Sequence, residues 1–99
     1  MNYKAAVPAA ISRAIQAFGI GREMVVRILA AIHEKVPRDY PQCRQFRIGK
    51  DERYYRYQIV LKDEHLGHLF RMTVDDTTAE GHLIVVDIHH KTRPFPPKS

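Results

Sequence analysis

Between Arg53 and His90, apolar and polar side chains alternate in three consecutive runs. A period of two is the period of a β-strand. Tyr55, Tyr57, Ile59 and Leu61 alternate with Tyr54, Arg56, Gln58, Val60 and Lys62. Phe70, Met72 and Val74 alternate with Leu69, Arg71 and Thr73, and Ile84, Val86 and Ile88 with Leu83, Val85, Asp87 and His89. The pattern predicts a sheet with one oily face and one face carrying Arg56, Arg71, Asp87 and His89. Asp63–Gly67 and Asp75–Gly81 read as the turns, which makes the runs an antiparallel meander. Counted back from the turns, Val60 falls opposite Arg71 and Arg71 opposite Asp87, with His89 one step diagonal. A slip of two residues weakens that contact but leaves every side chain on its face.

Upstream, Tyr3–Val7 is a short apolar segment with the character of an edge or central strand. Pro8 suits the first turn of a helix, where a missing N–H costs nothing. Ile11, Ala14, Ile15 and Phe18 follow at helical spacing, and Gly19 is a natural end. A second helix is expected from about Arg22 to Lys35, with Met24, Val25, Ile28, Leu29 and Ile32 on one side and Pro37 as its stop. Joined by Gly19-Ile20-Gly21, the two helices should form a hairpin over one face of the sheet. Residues 37–52 read mostly as a basic loop, with a short strand at Gln45–Ile48. The proline-rich tail from Lys91 to Ser99 is expected to stay unpaired. The fold class is therefore α+β, in the order β-α-α-β-β-β, with a helical hairpin on one face of a small, mainly antiparallel sheet. Residues 1–93 form a single domain, and 94–99 a proline-rich tail.

Ninety-nine residues suffice for one core without disulfide or metal staples. The single cysteine, Cys43, forms no internal bridge and points to a reducing, cytoplasmic compartment. Neither a signal peptide nor a membrane span is expected. The formal charge of +5 favours an anionic partner such as nucleic acid or an acidic protein. Residues 38–56 contribute Arg38, Arg44, Arg47, Lys50, Arg53 and Arg56 against Asp39, Asp51 and Glu52. An ordinary solvated basic surface would look the same.

The order of elements on a small basic chain resembles the RelE/ParE superfamily of bacterial toxins. Four pieces carry the resemblance, which spans roughly Tyr3 to Arg93. They are the opening Tyr3-Lys4-Ala5-Ala6-Val7-Pro8-Ala9-Ala10, the helical hairpin, Phe70-Arg71-Met72-Thr73-Val74, and the closing Ile84-Val85-Val86-Asp87-Ile88-His89-His90-Lys91. The resemblance implies the toxin of a type II toxin–antitoxin pair, restrained by a cognate antitoxin with an acidic segment. RelE-like members cut messenger RNA on the ribosome without a metal or other cofactor; ParE-like members poison DNA gyrase instead. A third reading, from a different class, is a non-catalytic protein-binding domain descended from such a toxin.

On the nuclease reading the resemblance makes Arg71, His89 and Arg56 the catalytic candidates. Arg71 would hold phosphate oxygens in its fork and His89 would move a proton. Arg44, Arg47, Lys50, Lys62, His90 and Lys91 are the expected RNA contacts; by alternation, His90 points to the helix side or frays outward. Many RNA-cutting relatives have a tyrosine just after the last strand, where this chain reads Lys91-Thr92-Arg93-Pro94-Phe95. Arg71 with Asp87 is equally an ordinary cross-strand ion pair. His65 and His68 near the first turn read as solvated, and no metal site is expected, because no Cys or Asp/Glu completes a ligand set at the usual spacing.

Overall fold

The structure, a computed structural model, describes residues 3–43, 47–48, 54–63 and 66–94. Its elements are β1 (Lys4–Ala6), α1 (Ala9–Ala17), α2 (Arg22–Cys43), β2 (Arg47–Ile48), β3 (Tyr54–Lys62), β4 (Leu66–Asp75) and β5 (His82–Pro94). The class is α+β and the order β-α-α-β-β-β holds, with the two-residue β2 inserted where a short strand was expected. The five strands lie in the order β1-β5-β4-β3-β2. β1 runs parallel to β5 at one edge, and every other pairing is antiparallel. Both helices cover the same face, α1 over β5 and α2 over β1 and β3. Among the described residues no helix is long and apolar enough to cross a membrane.

Pro8 caps α1 through its carbonyl, which accepts the N–H groups of Ile11 and Ser12 at 3.0 and 3.1 Å. The turn between the helices needs glycine at both ends, since Gly19 and Gly21 have φ of 69° and 86°. From α1, Ile11 and Ile15 reach the core; from α2, Met24, Ile28, Ala31, Ile32, Val36 and Tyr40 do so at helical intervals. They pack on Tyr55, Tyr57, Ile59, Phe70, Met72, Val74, Leu83, Val85 and Ile88 of the sheet.

Four expectations need correction. First, α2 continues through Pro37 and Pro41. An interior proline removes a hydrogen bond and costs about 3 kcal/mol. Tertiary contacts offset that cost: Val36 and Tyr40 are buried, and Tyr40 packs between Tyr3 and Tyr55 with ring centroids 4.5 and 5.6 Å away. The Tyr40 hydroxyl donates to Asp76, and that of Tyr57 donates to Asp39. The last turns of the helix are thereby tied to the sheet. Residues 37–43 are helix, not loop.

Second, the ladder places Arg71 opposite Gln58 and His89, Thr73 opposite Asp87, and Leu69 opposite Val60 and Lys91. Each pairing differs from the expected one by two residues, so the faces are kept. Third, the register shifts at Thr73/Val74, and Val86 lies unpaired on β5. This one-residue bulge reverses the parity of the strand. Leu83 and Val85 consequently face the helices, whereas beyond the bulge Ile88 does and Asp87 and His89 do not. Fourth, β5 runs on to Pro94, with Lys91, Thr92 and Arg93 paired to Leu69, His68 and Gly67. Proline ends the ladder there without interrupting it.

Candidate functional site

Beyond the bulge, the sheet face turned away from the helices is built in cross-strand rows. Arg56, Thr73 and Asp87 make one row; Gln58, Arg71 and His89 the next; Val60, Leu69 and Lys91 the third; Lys62, Gly67 and Arg93 the last. Residues opposite each other in such rows have Cβ atoms about 4.5–5.5 Å apart. Arg71 and His89 are thus direct neighbours, both exposed, and they line a cavity of about 260 Å³ with Leu69, His90 and Lys91.

Asp87 engages His89 and not Arg71. The His89 Nε2–H donates to Asp87 Oδ2 at 2.9 Å. An ionised carboxylate accepts only, so in the neutral ring this bond places the proton on Nε2 and leaves the lone pair on Nδ1. Among the described residues Arg71 has no ion pair or hydrogen bond, and its guanidinium is available to an anion. Arg56 stands on the same face, one row away and diagonal to Arg71. Lys91 flanks the cavity, and Lys62 lies at the far end of the same face.

Among the other expected RNA contacts, His90 borders this cavity but turns its ring away from Arg71. His90 is half-buried on the helix side, stacked on Phe18 with centroids 5.2 Å apart. Arg47 lies in β2 opposite Tyr55, and Arg44 and Lys50 fall outside the described residues.

A second constellation, hidden from the sequence reading, sits under the helices. His68 is not solvated but buried, at 5% exposure. Its Nε2–H donates to Asp63 Oδ2 at 3.1 Å, and its Nδ1 lies 3.0 Å from His90 Nε2. The two imidazole centroids are 5.3 Å apart and the planes 21° from parallel, so these nitrogens point at each other. The arrangement is a hydrogen-bonded relay. Burial, and then the neighbouring His68, hold the His90 imidazole below its usual pKa. The available signal was parity, since His68 shares a face with Phe70 and Met72.

Near the C-terminal end of α2, Arg38 donates to Asp39 at 2.9 Å. That guanidinium, followed by the Tyr57 hydroxyl, holds the Asp39 carboxyl below the usual carboxylate range. This cluster anchors the helix and lies away from Arg71. No family model, curated protein or solved structure matches this chain.

Proposed function

We propose that the chain is the toxin of a type II toxin–antitoxin system, acting as a metal-free, ribosome-dependent mRNA endoribonuclease. The observation that supports this reading is the direct cross-strand pairing of Arg71 with His89 on the uncovered face. Arg71 grips two non-bridging oxygens of the scissile phosphate and stabilises the charge that grows in the transition state. His89 Nδ1 takes the proton of the 2′-hydroxyl as O2′ bonds to phosphorus. The P–O5′ bond breaks, O5′ takes a proton from solvent while the imidazolium returns its own to solvent, and a 2′,3′-cyclic phosphate and a 5′-hydroxyl remain. Arg56 and Lys91 attract the flanking phosphates.

The ribosome and its messenger are the substrate, which places the activity in the cytoplasm. The same cationic face is the seat of an acidic segment of a cognate antitoxin, and that pairing weakens as salt rises. The test is the purified chain added to ribosomes stalled on a defined message in the presence of chelator. Cleavage that needs the ribosome and leaves cyclic phosphate ends supports the proposal. Intact message with inhibited DNA supercoiling would move the assignment to a gyrase poison.

A further inference from the structure

β5 runs for thirteen residues, yet β1 covers only His82 to Ile84 on its outer side. Among the described residues, the strand from Val86 onward is bonded to β4 alone, and no backbone group on its other side has a protein partner. Backbone N–H and C=O groups are obligatory hydrogen-bonding groups, and a row of them at a sheet edge is a template for another strand. Lys91 and Arg93 alone would guard such an edge, since natural edges carry cations against pairing. Asp87 changes the pattern. It lies four residues before Lys91 on the same face, so the charge sequence of this edge complements its own reversal.

We propose that the edge of β5 around residues 87–91 pairs antiparallel with the same edge of a second copy of this chain, about a two-fold axis at His89. An interface of this kind is isologous: each contact occurs twice. Asp87 then lies opposite the partner's Lys91, with the partner's Arg93 on the diagonal. On the helix side, Ile88 meets the partner's His90. A centre one residue later keeps the faces together but sets His89 against Lys91 in both directions. The bulge at Val86 ends the pairing, because the parity of the strand reverses there. The uncovered faces of the two copies become one surface, with an Arg71–His89 pair on either side of the axis. The pairing does not rest on the nuclease reading, but Asp87, His89 and Lys91 belong to both the edge and the candidate site.

Sedimentation velocity on the full chain reads the assembly. The wild type is expected to be a dimer, and Asp87→Lys and Lys91→Asp monomers. The double swap Asp87→Lys with Lys91→Asp restores both ion pairs and should sediment as a dimer again. In a Cys43→Ser background, His89→Cys should form an intermolecular disulfide on oxidation. Gln58→Cys, two strands inward, should not. A wild-type monomer at every concentration reached, a dimer that survives Asp87→Lys, or a double swap that stays monomeric overturns the proposal. So does a His89→Cys variant that fails to cross-link.

Discussion

His89 and His90 are adjacent in sequence and opposite in environment. Strand alternation turns the first to the uncovered face beside Arg71 and the second under α1 against Phe18. Their substitutions should separate accordingly. Arg71→Ala and His89→Ala remove exposed side chains and should leave the melting temperature nearly unchanged. Each should lower the rate of message cleavage on ribosomes by about 10²–10⁴-fold, measured in single-turnover assays. His90 should govern stability instead. Its pKa is depressed in the folded chain, so the unfolded chain binds the proton first. Stability should therefore fall as pH drops through about 6.5, the unperturbed imidazole value, and should stop falling once the folded form is also charged. His90→Phe keeps the stack on Phe18 and should flatten that slope in urea titrations at a series of pH values. An unchanged slope would place the titration elsewhere.

At the scale of elements, local patterns and long-range partners divide the work. Arg56, Arg71, Asp87 and His89 were legible as companions on one face because parity is a property of a few consecutive residues. Their register was not, since it depends on how tightly each turn closes: Lys62 already pairs with Gly67. Val86 carries no mark of a bulge; the extra residue shows only once β4 is laid beside β5. Pro37 correctly signals a poor helix interior, but Tyr40, three residues on, is held between Tyr3 and Tyr55 and carries the helix past it. The charged, glycine-containing turn beside His68 points to solvent, yet its strand parity with Phe70 prevails and buries it. If tertiary contact alone sustains α2 beyond Val36, then Pro37→Ala should stabilise the chain. The expected gain is about 1–2 kcal/mol, the relieved clash less the lost rigidity of the unfolded chain, measured by denaturant unfolding. Phe70→Ala, by contrast, empties a fully buried core site and should cost about 3–5 kcal/mol.

The whole molecule is a sheet with one face spent on the core and the other left to cations. Helices cover the Tyr57–Met72–Ile88 row, and nothing among the described residues covers the Gln58–Arg71–His89 row. A chain of charge +5 with its cations displayed this way should bind polyanions in a salt-dependent manner. Doubling the ionic strength should weaken RNA binding far more than it weakens the fold, as fluorescence anisotropy beside thermal melts will show. Charge alone, however, does not make a nuclease. The central claim is that Arg71 and His89 together cut message on the ribosome. It is tested most directly by inducing the chain alone in a bacterial host and mapping the 5′ ends of a reporter message, beside Arg71→Ala and His89→Ala. The account predicts growth arrest with cuts in the translated frame that both substitutions abolish. Normal growth with the folded chain present, or cuts that persist in both variants, would contradict it.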